Sequence, residues 1–308
     1  MIRFAIRRFF SVIVSLWVVL SLVFFLVRMV PGGPFDQDRK VSPEVERALL
    51  AYYDLSAPVY IQYKNWLVRL VVHQDLGPSF RYAGRSVNEI IALSLPYSAQ
   101  LGALAAILAL AIGIPAGVYA ATKHNRLSDH ATMALAMTGV SVPRFVLAPL
   151  LILVFSLKLY LLPAARWETW RHMILPVICA GLPMAAYIAR LSRAGMLEII
   201  RSDFIRTARA KGLPERRVIL RHALKGALLP VVTYMAPGLS GLLVGSLVIE
   251  RIFNIPGMGR YLVEAASNRD YNLVMGVVLV YGVLVMTLNA VVDVFYKWLD
   301  PRVSLEKP

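Results

Sequence analysis

The sequence has 308 residues, of which 58% are hydrophobic and only 17% charged, with a formal net charge of +15. A soluble domain is nearer half apolar and a quarter charged, so this composition excludes an ordinary soluble enzyme. The basic excess alone would suit nucleic acid. Cytoplasmic loops of membrane proteins also collect Lys and Arg, and that explains the excess better, with no nucleic-acid partner expected.

Residues 9–27, 90–122, 173–189, 226–249 and 271–292 carry no charge, and residues 131–157 carry one, Arg144. A bilayer core takes about 20 apolar residues in a helix. Lipid offers no water to satisfy exposed backbone groups. The expected fold is therefore an all-α polytopic membrane protein with six transmembrane helices.

The first run follows Arg3, Arg7 and Arg8. It is longer than a signal-peptide core and lacks a clear small-x-small cleavage site, so residues 1–30 read as a cytoplasmic stub and an uncleaved first span. Pro31-Gly32-Gly33-Pro34 then breaks the helix. Residues 31–90 are too many for a bare connection and predict an external loop subdomain with short helices. In it, Ser42-Pro43-Glu44 reads as a helix start, with the helix running to about Tyr53. Residues 58–72 predict a second, more apolar helix, whose Trp66 and tyrosines suit the membrane interface.

Residues 91–298 are expected to form a five-helix transmembrane core, with residues 299–308 as a cytoplasmic tail. Pro115, Pro143, Pro149, Pro176, Pro183, Pro230 and Pro237 lie in its apolar runs, where each removes a backbone donor. Ordinary packing accommodates such kinks, and so does a bundle that opens a path. Gly241 and Gly245 have the spacing of a close helix contact. Cys179 has no intrachain partner and no metal-ligand spacing around it, so its role is structural.

Arg144 is a mid-span charge, and insertion scales put its cost at roughly 2.5–3.5 kcal/mol. It should face the bundle interior. Ser141, Pro143 and Arg144 are the candidate path residues. The sequence leaves two uses of Arg144 open: attraction of a substrate carboxylate, or pairing with backbone carbonyls at the Pro143 kink.

With the N-terminus inside, the inside segments hold 18 Lys and Arg and the two short outside loops hold 6. That asymmetry puts both termini in the cytoplasm. Ten of the inside basic residues fall in the loop 190–225. There Asp203 favours a helix start and Gly212 a helix stop, with Phe204, Thr207 and Ala208 on one side. Pro214 and Glu215 begin a second helix, with Arg217, Arg221 and Lys225 as a basic stripe. Ile219, Leu220, Ala223 and Leu224 cover its other side. Two short amphipathic helices joined by a glycine turn can dock in a groove on a partner. Basic residues also enforce orientation and bind anionic lipid, and composition alone favours that plainer reading.

The order of residues adds what composition lacks. The segment Arg206-Thr207-Ala208-Arg209-Ala210-Lys211-Gly212, with His222-Ala223-Leu224 and Ala227-Leu228-Leu229-Pro230, resembles the EAA loop of binding-protein-dependent ABC importers. Arg206 and Thr207 replace the Glu and first Ala of the general pattern, and the interval from glycine to proline is longer. Both departures are typical of the peptide and nickel permeases. The likeness extends to Pro31–Phe35, Asp75–Ser79, Ile249–Gly257, Asn268–Tyr271 and Asp300-Pro301-Arg302. It is strongest for the B-type permease subunits of oligopeptide and dipeptide importers.

The resemblance implies a type I ABC importer permease fold in a bacterial cytoplasmic (inner) membrane. Phe204, Arg206, Thr207, Ala208, Lys211, Gly212 and Leu213 would then be the contact with a cytoplasmic ATPase. The implied partners are a second homologous permease, two ATP-binding cassette subunits, a periplasmic or surface solute-binding protein, the peptide substrate and membrane lipid. ATP and Mg would sit on the ATPases and no cofactor on this chain. In agreement, no lysine lies in a G-x-x-x-x-G-K-[ST] loop. The first outside loop and residues 250–271 are candidate contacts for the binding protein, with interface packing as the equal alternative.

Within the resemblance, dipeptide, glutathione and nickel permeases are the competitors. Outside it stands an ion-coupled secondary peptide carrier, which needs buried titratable groups that these apolar runs hardly supply. An enzyme is not expected, because His73, His124, His130, His172 and His222 are scattered without a nucleophile–base pattern.

Overall fold

A computed structural model of the protein describes residues 2–35 and 42–299. The chain runs as α1 (Ile2–Met29), α2 (Pro43–Tyr52), α3 (Val59–His73), α4 (Val87–Thr122), α5 (Leu127–Ser141) and α6 (Arg144–Leu151), which continues as a π-helical turn (Ile152–Lys158). Next come α7 (Trp170–Ile200), α8 (Asp203–Ala210), α9 (Glu215–Arg217), a second π segment (Val218–Ala223) and α10 (Leu224–Ala227). Then α11 (Leu229–Ile252), α12 (Met258–Ser267) and α13 (Tyr271–Leu299) complete it. No strand forms among the described residues beyond one isolated bridge between Pro78 and Ser86. The expected tail at 300–308 and its Asp300-Pro301-Arg302 motif lie outside them.

Among the described residues five helices are long and apolar enough to cross a membrane: Phe10–Met29, Val87–Thr122, Trp170–Ile200, Leu229–Ile252 and Tyr271–Val292. The apolar run 131–157 differs from a simple span. It breaks at Val142-Pro143 into Leu127–Ser141 and Arg144–Lys158, bent by 102°, and counts as the sixth span if the pair is one. The break has a local cause: residue 142 is driven into extended backbone (ψ 118°) by the proline after it.

The chain divides into two compact units, one of residues 1–98 and 256–286, the other of residues 99–255 and 287–308. In the first, α1, α3 and α13 share a core of Leu20, Phe24, Trp66 and Met275. The Arg28 guanidinium lies 3.5 Å from the centre of the Phe24 ring and donates to the Gln62 side chain at 3.0 Å. Ser42 caps α2 by accepting from the Val45 amide.

The fully buried Asp270 organises the start of α13. Its carboxylate accepts from the Leu273 amide at 3.1 Å, as an N-cap does, and also from the Ser79 hydroxyl and the Phe80 and Arg81 amides. Burial raises its pKa, and these donors oppose the rise. The same loop is pinned by Asn88, which accepts from the Leu76 amide (2.8 Å) and donates to the Gln74 carbonyl (2.8 Å). Gly77 has φ +88°, which favours glycine, and Asn272 would meet any Cβ there at 2.9 Å.

In the second unit α4 and α7 approach backbone to backbone. A Cβ on Gly113 would lie 2.6 Å from the Ala185 carbonyl, one on Gly117 2.3 Å from that of Ala189, and one on Gly181 2.8 Å from that of Ala105. Glycine is required at each because the obstacle is main chain, which cannot swing aside. On another side of α7, Gly195 meets the Ala227 carbonyl at 2.3 Å by the same measure, which seats α10.

Two outcomes follow for the purified chain in detergent. Asp270→Ala strands the Ser79 hydroxyl and the Phe80 and Leu273 amides, and should lower stability by about 3 kcal/mol. Gly117→Leu forces α4 off α7, at a cost of about 3 kcal/mol. Thermal unfolding should show both as lowered midpoints, and an unchanged midpoint in either would refute the corresponding contact.

Candidate functional site

The segment from α8 to α10 forms an elbow at the end of α7. Ser202 is the N-cap of α8, with extended backbone (ψ 155°), and Asp203 places a negative charge in its first turn. Lys211 ends the helix and Gly212 turns the chain with φ +75°. Pro214 then opens α9. Across this turn Arg209 grips Glu215 with two bonds, Nη2 to Oε1 at 2.7 Å and Nε to Oε2 at 3.1 Å. The guanidinium holds the Glu215 carboxyl below its usual range, and the pairing raises Arg209. The stapled turn therefore persists at neutral pH and loosens only as acid protonates Glu215.

The elbow has an inner and an outer face. Ile205 and Ala208, one turn apart, are buried with Val218, Ala223 and Ala227 against Met196 of α7 and Ala121 of α4. Phe204, Arg206, Thr207, Lys211 and Gly212 are exposed, and Leu213 is packed at the edge of the buried cluster. Ala208 thus lies on the inner face, while Phe204 and Thr207 point outward. Phe204 is 53% exposed, a large apolar side chain among the exposed Asp203, Arg206, Thr207 and Arg209 of α8. Sequence spacing placed Ala208 beside Phe204 and Thr207 without distinguishing the faces.

The second limb also differs from a plain α-helix. Its π segment changes the angular step per residue. Ile219, Ala223 and Leu224 pack inward as expected and Val218 joins them, but Leu220 is left 52% exposed. Arg217, Arg221 and Lys225 remain exposed.

Arg144 stands at the start of α6, after Pro143 as N-cap. Its Nη1 donates to the Gly241 carbonyl of α11 at 3.3 Å. The partner is thus a backbone carbonyl on another helix, not one at the kink. Among the described residues no acidic side chain pairs with it. Ser141 is exposed, with its hydroxyl donating to the Met137 carbonyl at 2.9 Å. The structure separates these three residues from the elbow; the two groups share no contact.

Sequence reading missed two features. Tyr187 and Tyr234 stack at 5.5 Å, with the Arg190 guanidinium 4.7 Å from the Tyr187 ring centre. Asp129, at the start of α5, is fully buried and accepts two hydrogen bonds from Arg193 of α7, each of 2.7 Å. The acid borders an apolar run, and the arginine stood among ten basic residues, so neither marked the other. No cluster of metal-ligating side chains occurs among the described residues.

Residues 113–305 match the family model of the binding-protein-dependent transport system inner membrane component, and residues 1–100 match its N-terminal model. The oligopeptide transport system permease protein OppB of Escherichia coli K12 is 47% identical over 305 residues, covering 98% of this chain and 99% of that protein. The dipeptide transport system permease protein DppB of Bacillus subtilis is 41% identical, covering 100% and 99%. Among solved structures, an inward-facing MetNI methionine ABC transporter shares the fold at TM-score 0.56 and 16% identity, over 69% of this chain and 97% of that one. An all-α chain with five or six apolar spans, an elbow between α7 and α11, and relatives of this kind make it a multi-pass membrane protein and a transport component rather than an enzyme: it belongs to the family of inner-membrane permease components of binding-protein-dependent ABC importers.

Proposed function

We propose that the chain is the transmembrane permease subunit of an ATP-driven oligopeptide importer in a bacterial inner membrane, with both termini cytoplasmic. It lines half of the path and a second homologous permease lines the rest. Two ATPase subunits, which carry ATP and Mg, drive it from the cytoplasm, and a solute-binding protein delivers peptide from outside. Residues 31–90 and 250–271 face that binding protein. A dipeptide importer is the second reading, favoured by the 41% identity to a dipeptide permease.

The observation that carries the reading is the two-faced elbow. Its inner face is fused to α4 and α7 through Ile205, Ala208 and Val218, and its outer face offers Phe204, Thr207 and Lys211 at one-turn spacing. An apolar anchor ringed by polar and basic groups suits a groove on a partner protein. Whatever grips that outer face moves α7 directly, because Ile200 is followed by only Arg201 and Ser202 before α8 begins. Gly212 and Leu213 set the turn that presents it.

The reading is tested by reconstituting the complete transporter in proteoliposomes and following labelled peptide. Uptake should require ATP and the binding protein and persist without a proton gradient. Uptake that survives ATP depletion and collapses with the gradient would establish the ion-coupled carrier instead.

Two further outcomes are expected. Phe204→Ala combined with Lys211→Glu should reduce ATPase co-purification roughly tenfold or more while the permease inserts normally. Full retention of the ATPases by that variant would remove the elbow from the contact. Arg144→Ala should weaken peptide uptake at normal abundance, and unchanged uptake would leave Arg144 only its bond to the Gly241 carbonyl.

A further inference from the structure

Asp129 and Arg193 play no part in the contact just described, yet they form the most fully engaged ion pair in the second unit. We infer that this pair, its acid buried and its arginine partly exposed, is a positioning strut, which passes movement of the elbow into the bent α5–α6 segment. The inference rests on the proposed function, since it presumes an ATPase that moves the elbow.

Arg193 lies two turns before the end of α7, close above the elbow. Between them, Met196 of α7 and Ala121 of α4 belong to the core that seats Ile205 and Ala208. At the same level Gly117 of α4 is pressed on Ala189 and Ser192 of α7. The elbow, the end of α4 and the end of α7 therefore act as one body.

α5 joins that body differently. Where Gly139 faces α7, a Cβ would meet the Leu182 carbonyl at 3.4 Å and the Ala186 Cβ at 3.7 Å, which is ordinary contact. Apolar contact of that kind permits sliding. The fork at Asp129 does not: Arg193 Nε reaches Oδ1 and Nη2 reaches Oδ2, both at 2.7 Å, and two parallel charged bonds fix translation and rotation together. The turn from α4 is tied to the same carboxylate. The Asn125 amide, on a residue with φ +60°, donates to Oδ2 at 3.0 Å, and His124 Nδ1 lies 3.3 Å from Arg193 Nη2. At its far end α5 meets the 102° bend into α6, where Arg144 reaches the Gly241 carbonyl of α11. A displacement of α7 at Arg193 must therefore move α5 as a whole, and with it the bend.

The chemistry argues for position over stability. A buried ion pair is often no more stabilising than apolar side chains of similar volume. What apolar side chains lack is a fixed register.

The test uses the complete transporter in proteoliposomes, with this chain unaltered or carrying Arg193→Lys, Asp129→Asn, or the double apolar variant Asp129→Leu/Arg193→Met. Four quantities are read: co-purification of the ATPases, melting temperature, ATP turnover stimulated by substrate-loaded binding protein, and peptide imported per ATP. The single variants should keep their ATPases and unstimulated turnover but lose roughly fivefold or more in stimulation and in peptide per ATP. The double variant should melt like the unaltered complex and remain equally uncoupled, an outcome that a purely structural pair would not give. Normal peptide per ATP in the double variant or in Arg193→Lys would overturn the strut. Absence of ATP-driven import by the unaltered complex would instead overturn the reading of function, and the strut with it.

Discussion

The second unit depends on one constraint: α4 and α7 must touch through their main chains. Gly113, Gly117 and Gly181 leave no room for a single carbon between the helices. In lipid, where helix faces gain nothing from leaving water, such close packing is the available source of cohesion. It also has a mechanical result. Side chains that interdigitate can re-pack by rotamer changes, whereas two backbones in contact have no such slack. The middle of α7, from Gly181 to Ser192, is thereby held against α4, although Pro176 and Pro183 interrupt its own hydrogen bonding. The elbow inherits its orientation from that contact, and Gly195 against Ala227 returns the chain onto the same helix.

In the first unit, motifs far apart in the chain converge on one place. Asp270, from the Asn268–Tyr271 motif, accepts from Ser79 and the amides after it, from the Asp75–Ser79 motif. Arg269 donates to the Gly33 carbonyl at 3.2 Å, which brings in the Pro31–Phe35 motif. Phe80 completes the set between Phe35 and Tyr271, with ring centres 6.1 and 5.9 Å apart. Asp270 is the only acid in the group that is wholly removed from water, and its four donors explain why it is tolerated there. Residues recognisable as scattered signatures are thus one hydrogen-bonded joint around the start of α13.

The apolar runs were legible because insertion into lipid demands length and absence of charge, properties any sequence displays directly. Helix ends marked by Ser42-Pro43, Asp203 and Gly212 were legible for the same reason: capping chemistry is local. What spacing could not supply was the environment on each side of a helix. Ala208 and Thr207 are neighbours in sequence, yet one meets Met196 and the other water. The π segment was invisible because no residue type specifies it, and there Val218 is buried while Leu220 is left exposed. The run 131–157 concealed a right-angled break, since hydropathy sums over a proline that bends the chain. The elbow residues and Arg144 stood out by motif and by charge, while Asp129 and Arg193, 64 residues apart, did not, because ion pairing across helices leaves no periodic trace.

The placement of buried acids bears on where the energy for transport enters. Three carboxylates are fully buried among the described residues: Asp129, Glu250 and Asp270. A proton-coupled carrier needs such a group free to exchange its proton with the path. Here Asp129 is locked by Arg193 and the Asn125 amide, Asp270 by a hydroxyl and three amides, and Glu250 accepts from Ser246 at 3.0 Å. Each also sits at or beside a helix terminus, away from the middle of an apolar run. A chain with its buried acids engaged in this way has little with which to harness an ion gradient, and a stiff helix pair ending in an exposed, two-faced elbow with which to receive a mechanical stroke. The proposed ATP-driven function is supported from both directions, from what the interior acids are already bonded to and from how closely the elbow is packed on α7.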